Sequence, residues 1–176
     1  MKRRLGPADF RVMPWANGRG QTLELVRVAG QDGLLWRLSV AQVVEDCAFS
    51  PLPGIARSLT VISGPGFDLA GDVALRADPL VPVAFAGGAT VRAVAVTAPS
   101  EDFNVMTAGH LPKPQVNVLR GDVANPPIGG IVAVFAMEDA AADGQTLAAR
   151  HLLLSDAPLT LAGGTVIAVA LAVPLP

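Results

Sequence analysis

Tyrosine is absent from the sequence, and cysteine, lysine and histidine are rare. Cys47 is the single cysteine, which excludes a disulfide within the chain and is typical of a small buried hydrophobic residue. The two histidines, His110 and His151, lie far apart and lack a second histidine at the spacing of metal ligands. We therefore expect neither a metal nor a cofactor, with His110 in a loop and His151 at the start of a strand.

Charge is sparse as well, since charged residues make up 16% of the chain and the formal net charge is −2. No basic cluster is present to neutralise phosphates, so we expect no nucleic-acid partner. The longest apolar runs, 131–137 and 166–173, are far shorter than the ~20 residues of a membrane-spanning helix. Residues 2–4 are basic but no apolar stretch follows them, unlike in a signal peptide. These patterns predict a cytoplasmic protein without a membrane partner.

What the sequence does contain is a high hydrophobic content, 51%, interrupted at short intervals by 18 glycines and 15 prolines. Short β-branched segments between turn residues are typical of a sandwich or a barrel, so we predict an all-β fold. The segment Glu138–Asp143 is expected to form a short helical turn or an acidic loop, and 125–127 a proline loop. The predicted strands are 22–28, 35–43, 59–62, 67–69, 91–96, 103–106, 115–119, 130–136, 151–154, 159–161 and 165–173.

A second run of strands begins near residues 98–100, which predicts two fused barrel halves. We place an N-terminal half at 1–98 and a C-terminal half at 99–176, and the pattern is compatible with strand exchange between them. The high apolar content is also compatible with a homodimer, although the sequence does not specify one.

Three of the predicted strands carry pairs of polar residues on one face, because side chains alternate along a strand. The pairs are Thr22 with Glu24, Arg37 with Ser39, and Asp102 with Asn104. Such faces are common on the solvated side of an antiparallel sheet. They also suit a polar barrel interior that holds a small ligand, and the pattern alone leaves both interpretations open.

Four blocks of the sequence are distinctive: MPWANGRGQTLE at 13–24, WRLSVA at 36–41, FSPLPGIARSL at 49–59 and DFNVM at 102–106. In sequence, order and spacing these blocks resemble the HutD/Ves family. The chain departs from the family pattern at Ala16, Arg19, Ala56 and Gly88. Together the blocks span over half of the chain, and each alone would be weak evidence.

The resemblance implies a bacterial, cupin-like double β-barrel, a bicupin, in a single chain. It further implies a regulatory role in histidine utilisation through binding a small acidic metabolite, such as a formylated or formiminated glutamate. Arginine suits this role because its planar guanidinium can grip a carboxylate with two hydrogen bonds. The predicted ligand-binding residues are Trp15, Asn17, Thr22, Glu24, Arg37, Ser39, Ser50, Arg57, Asp102 and Asn104.

Two other functions remain open from the sequence. A metal-free enzyme, of an isomerase or amidohydrolase-like type, can act on a small carboxylate with Glu24 or Asp102 as the base. Both side chains are equally explained as partners of Arg37 or Arg57, and no nucleophile paired with a base is recognisable. A protein-interaction module would instead place the polar pairs on an exposed, flat face.

Overall fold

The computed structural model describes residues 1–15 and 20–176. In these segments the chain is all-β, with one short 3₁₀ turn at Pro7–Asp9 and no α-helix. No helix of the described residues is long and apolar enough to cross a membrane. The strands are β1 (Lys2–Leu5), β2 (Arg11–Pro14), β3 (Gln21–Gly30), β4 (Gly33–Val43), β5 (Cys47–Ala48), β6 (Ile55–Ser63), β7 (Phe67–Gly71), β8 (Leu75–Ala77), β9 (Val83–Ala86), β10 (Val91–Val94), β11 (Ser100–Ala108), β12 (Gln115–Leu119), β13 (Val123–Ala124), β14 (Ile131–Ala136), β15 (Ala140–Ala142), β16 (Gln145–Leu147), β17 (Leu152–Ser155), β18 (Leu159–Gly163) and β19 (Val166–Leu171).

The chain divides into two compact units, one of residues 11–110 and the other of residues 1–10 and 111–176. These bounds differ from the predicted halves, 1–98 and 99–176. The predicted boundary lies at the turn before β11, but β11 pairs with β4 and β6 and so belongs to the first unit. At the other end, β1 pairs with β17, which places the first residues in the second unit.

The unit of residues 11–110 contains a six-stranded sheet in the order β2-β3-β4-β11-β6-β9 and a four-stranded sheet in the order β5-β10-β7-β8. Its apolar core includes Val43 and Leu59 from the larger sheet and Phe67 and Val91 from the smaller one. The two sheets therefore pack face to face, and the larger one turns one face toward this core. All pairings within both sheets are antiparallel, consistent with the short turns that connect several neighbouring strands.

The other face of the six-stranded sheet is also buried. Trp36, Leu38 and Val40 alternate with the polar residues of β4, and each is at most 3% exposed. Phe103 and Val105 on β11 are equally buried. These central strands are buried on both faces. Their side chains are therefore large and apolar on one face, and few of those on the other face are charged.

The second unit has a five-stranded sheet in the order β1-β17-β14-β19-β12 and a four-stranded sheet in the order β13-β18-β15-β16. Every residue of β14 is buried. Its core includes Val132, Val134, Leu153 and Leu159, again drawn from both sheets. Each unit is thus a pair of packed antiparallel sheets.

Each predicted strand overlaps an observed one, and the alternation of apolar and polar residues accounts for this agreement. The prediction for Glu138–Asp143 was wrong, because Ala140–Ala142 forms strand β15 between β16 and β18. Three consecutive alanines show no alternation of apolar and polar residues. The acidic residues on either side of them therefore led to the prediction of a helical turn or a loop. The proline loop at 125–127 lies outside the strands, as predicted.

Two glycines of the first unit give a matched test of this packing. Gly66 and Gly54 have nearly equal positive φ angles, 78° and 77°, a conformation that favours glycine. A Cβ on Gly66 would lie 2.0 Å from the carbonyl oxygen of Ala77, whereas a Cβ on Gly54 would meet nothing within 4 Å. We predict that Gly54→Ala lowers the free energy of unfolding by about 1 kcal/mol, the cost of the left-handed conformation.

We predict that Gly66→Ala lowers it by at least about 3 kcal/mol, because overpacking adds to that cost. Urea unfolding of the two variants and the parent protein measures both values. Equal losses in the two variants would contradict the close approach of Gly66 to the Ala77 carbonyl.

Candidate functional site

The polar pairs of β3, β4 and β11 lie on the same face of the six-stranded sheet. Glu24 is opposite Ser39, and Ser39 is opposite Asn104, which forms one row across the three strands. Thr22 and Asp102 lie on either side of Ala41 in the next row. Since cross-strand partners point to the same side, alternation along each strand brings these groups together.

This polar face is buried rather than solvated. Ser39 is 1%, Asp102 2% and Asn104 3% exposed. The face continues into the apolar core, because Asp102 lies opposite Val61 and Asn104 opposite Leu59 on β6. The space between the two sheets is therefore filled by aliphatic side chains at one end and lined by polar groups at the other.

At the polar end is a cavity of about 440 Å³, within the size range of small-molecule sites. All of its lining residues belong to the unit of residues 11–110. They are Met13, Pro14, Trp15, Thr22, Arg37, Ser39, Ala41, Val43, Ala48, Phe49, Ser50, Leu52, Arg57, Asp102, Asn104 and Met106.

The structure thus brings eight of the ten predicted binding residues to one cavity. Glu24 is not in the lining but forms an ion pair with a residue that is, since its Oε2 lies 2.8 Å from Nε of Arg37. The N–H at this Nε is not directed at the carboxylate, so charge rather than a hydrogen bond holds the pair. Asn17 lies outside the described residues, as do the family departures at Ala16 and Arg19.

Arg57 is the most confined cation of the cavity, with 9% exposure. Its guanidinium carbon lies 5.2 Å from the ring centres of both Phe49 and Phe85, which are themselves stacked. Nη2 donates to Oδ1 of Asn104 at 3.4 Å, while the buried Nε has no hydrogen-bond partner among the described residues. Burial lowers the pKa of Arg57, and the positive charge of Arg37 lowers it further, against the raising effect of Asp102. Its basicity still leaves it charged near neutral pH.

Asp102 is the most buried carboxyl of the cavity. Its Oδ2 accepts a hydrogen bond from Nδ2 of Asn104, and its buried Oδ1 has no partner among the described residues. Burial raises the pKa of this carboxyl to about 7, although Asn104 and Arg57 both act to lower it. Asp102 is therefore protonated in part of the molecules at neutral pH.

Trp15 forms one wall of the cavity. Its Nε1 donates to Oγ1 of Thr22 at 2.9 Å, and its backbone N–H donates to the carbonyl of Gly20 at 2.9 Å. A Cβ on Gly20 would lie 2.9 Å from the indole ring, so a glycine is needed for the ring to pack there. Trp36, by contrast, is 1% exposed and is not in the lining, so it is a buried core residue.

Sequence reasoning missed the apolar part of the cavity and the aromatic partners of Arg57. Phe49 is held near the cavity because its N–H donates to the carbonyl of Val91 at 2.9 Å. Phe85 lies directly opposite Arg57 in the pairing of β6 with β9. The block that contains Phe49 and Arg57 was recognised, but nothing in it indicates that the two side chains meet.

A second cavity, of about 310 Å³, lies in the other unit and contains none of the predicted site residues. Among the described residues no group of three His, Cys, Asp or Glu side chains can hold a metal ion. His110 lies in a turn, and His151 comes directly before β17, with its Nδ1 3.1 Å from the carbonyl of Ala149. That the protein works without a metal or cofactor stays a prediction.

The raised pKa of Asp102 predicts how stability depends on pH. A carboxyl whose pKa is higher in the folded than in the unfolded state stabilises the fold most below the unfolded value, and this contribution is lost as pH rises through the folded value. For a folded pKa of about 7, the contribution falls by about 2.5 kcal/mol between pH 5 and pH 8.

We therefore expect the free energy of unfolding of Asp102→Asn, which cannot titrate, to change less between pH 5 and pH 8 than that of the parent protein. Urea unfolding at the two pH values provides the measurement. An identical pH dependence of the two proteins would show that Asp102 titrates normally.

Comparison with known proteins shows the family to which this chain belongs. The model of the HutD family matches residues 7–172. Protein Ves of Cronobacter sakazakii is 33% identical over 135 residues, which cover 73% of this chain and 75% of that protein. An uncharacterized 21.2 kDa protein in the hutC 3′ region of Pseudomonas putida is 38% identical over 105 residues, or 57% of this chain. The match spans only 55%, about half, of the Pseudomonas putida protein's length.

Solved structures agree with these matches. HutD from Pseudomonas fluorescens superposes with a TM-score of 0.84 at 28% identity, covering 97% of this chain and 99% of that one. Bacterial pirin YhhW from Escherichia coli, solved in complex with nickel(II), has a TM-score of 0.67 at 8% identity over 99% of this chain and 100% of that one, and shows the fold alone. The chain therefore belongs to the HutD family and has the expected all-β, cupin-like fold.

Proposed function

We propose that this protein binds a small acidic metabolite in the cavity of residues 11–110 and thereby regulates histidine utilisation. The ligand class that we propose is a formylated or formiminated glutamate. The observation that carries the proposal is the buried Arg57, whose Nε has no partner among the described residues and whose side chain lines the cavity. Burying an unsatisfied donor costs roughly 1–3 kcal/mol, which a ligand oxygen can recover.

The charges of the cavity favour an anion. Arg37 is offset by its ion pair with Glu24, whereas Arg57 faces a carboxyl, Asp102, that is partly protonated near neutral pH. The cavity therefore carries a net positive charge in the molecules in which Asp102 is neutral. A low-dielectric wall of aromatic and aliphatic side chains strengthens the attraction of Arg57 for a carboxylate.

Other groups at the cavity suit the remainder of such a ligand. Ser39 and Ser50 offer hydroxyls, and the Asn104 carboxamide lies between Arg57 and Asp102. These groups can donate to and accept from an amide or formyl group. We propose Arg57 as the residue that grips a carboxylate and the serines and Asn104 as those that orient it.

One observation favours a metal-free enzyme as a second candidate. A carboxyl with a pKa of about 7 and a free oxygen at a cavity has the properties of a general base. Incubation of the protein with N-formyl-L-glutamate, followed by NMR, tests it. Turnover that is lost in Asp102→Asn, with Glu24→Gln as the parallel variant, would establish the enzyme, and an unchanged spectrum would exclude it for this substrate.

The alternative of a protein-interaction module required an exposed, flat polar face. The polar pairs of β4 and β11 lie instead at a cavity and are mostly buried. The feature that would have supported an interaction module is therefore not observed for these pairs. The partners of the protein, a homodimer included, stay as predictions from the sequence.

The proposed role of Arg57 gives a direct test. We expect Arg57→Lys to raise the dissociation constant of N-formyl-L-glutamate at least about thirtyfold, because lysine cannot form a bidentate pair with a carboxylate or place a planar cation against the two rings. Isothermal titration calorimetry measures the constant. Arg92→Lys, an equal change on an exposed side chain outside the lining, serves as the matched control and should bind like the parent protein.

Absence of binding to the parent protein at millimolar concentrations of both N-formyl- and N-formimino-L-glutamate would refute the proposed ligand class. Equal losses in the two lysine variants would refute the role of Arg57.

A further inference from the structure

Oδ1 of Asp102 is the one buried acceptor among the lining residues that has no hydrogen-bond partner in the described part of the chain, besides the donors at Nε of Arg37 and Arg57. The carboxyl is fixed on one side, because its Oδ2 accepts from the Asn104 carboxamide on the same strand. Oδ1 is buried and has no hydrogen-bond partner among the described residues, and Asp102 lines the cavity. Because Asp102 lines the cavity, a ligand there would lie close to this oxygen.

The groups that face Asp102 come from every strand packed around it. Arg57 lies on β6, Arg37 on β4 with Glu24 beside it from β3, Cys47 on β5, and Glu101 on the same strand as Asp102. Burial and the nearby carboxylates raise the pKa of the Cys47 thiol, so it stays neutral near pH 7. Asp102 is thus the one group at the described part of the cavity for which a change of charge near neutral pH is indicated.

The charge of Asp102 sets the charge of the cavity. With Arg37 and Glu24 offsetting each other, an ionised Asp102 offsets Arg57, whereas a neutral Asp102 leaves one positive charge. An ionised carboxyl can only accept hydrogen bonds, whereas a protonated one can also donate. The two forms therefore present different partners to a ligand.

We propose that Asp102 selects the ligand by the charge of the group that faces Oδ1. The ionised carboxyl binds a cationic nitrogen, and the neutral carboxyl binds a carbonyl oxygen. This inference rests on the proposed function and deepens it. A formimino group is a cationic amidinium, and a formyl group is a neutral carbonyl, while the glutamate part carries two carboxylates in both. Asp102 is then the residue that distinguishes the two ligands.

The preference between the ligands changes with pH. With a carboxyl pKa of about 7, raising the pH from 6 to 8 converts Asp102 from mostly neutral to mostly ionised. By linkage, a ligand that binds only the ionised form binds about tenfold more tightly at pH 8 than at pH 6. A ligand that binds only the neutral form binds about tenfold more weakly at pH 8, and takes up a proton.

Isothermal titration calorimetry of N-formimino-L-glutamate and N-formyl-L-glutamate at pH 6 and pH 8 tests the inference. In the parent protein, we expect the formimino compound to gain and the formyl compound to lose affinity between these pH values, each by up to about tenfold. In Asp102→Asn, which resembles the neutral carboxyl, both dependences should vanish and the formimino compound should bind weakly at either pH. Asp32→Asn, on the exposed turn between β3 and β4, makes the same chemical change away from the cavity and should behave like the parent protein.

A measurement on the parent protein alone covers the case in which Asp102→Asn fails to fold. Titrations at pH 7 in two buffers of different ionisation enthalpy count the protons exchanged on binding. We expect net uptake with the formyl compound and net release with the formimino compound. If only one compound binds, the inference is tested by that compound alone: the protons it takes up or releases must have the sign expected for it.

The outcomes separate this inference from the proposed function. Binding without proton exchange, or a pH dependence that persists in Asp102→Asn, overturns the role of Asp102 and leaves ligand binding intact. Failure of both compounds to bind overturns the proposed function and, with it, the inference.

Discussion

A buried guanidinium is the constraint on which the site depends. Removing an isolated cation from water costs several kcal/mol, and the fold must offset this cost around Arg57. Phe49 and Phe85 place their rings 5.2 Å from the guanidinium carbon, and the Asn104 amide and the Asp102 carboxyl lie on the next strand. Nε of Arg57 has no hydrogen-bond partner among the described residues, and the same is true of Nε of Arg37 and Oδ1 of Asp102. The site therefore contains hydrogen-bonding atoms that a ligand can pair with.

The sheet provides this arrangement through the two-residue period of its strands. Apolar residues of β4 and β11, such as Trp36 and Phe103, are buried on one side. Ser39 and Asn104 are fixed on the other side at directly opposed positions. A shift of one residue in the pairing of β4 with β11 would exchange these faces. The burial of the large apolar side chains thus also fixes the register that brings the polar ones together.

The sequence pattern was enough to predict the all-β class, eleven of the nineteen described strands and half of the residues that line the cavity. It could not predict the bulge between Glu24 and Val26 in β3, where the neighbouring residues Leu25 and Val26 are both buried. Nor could it show that Phe85 would lie opposite Arg57, because that pairing depends on register between strands that are far apart in the chain. The bounds of the two compact units depend on such distant pairings too, since β1 joins its partner β17 across almost the whole sequence.

The central claim is that the orphaned polar atoms of Arg57 and Asp102 are completed by an acidic ligand. A crystal structure of the protein grown with N-formyl-L-glutamate tests it most directly. The account predicts density for the acid in the cavity of residues 11–110, with a ligand oxygen within hydrogen-bond distance, about 3 Å, of Nε of Arg57. An empty cavity at saturating ligand, or the acid bound only in the other unit, would contradict it.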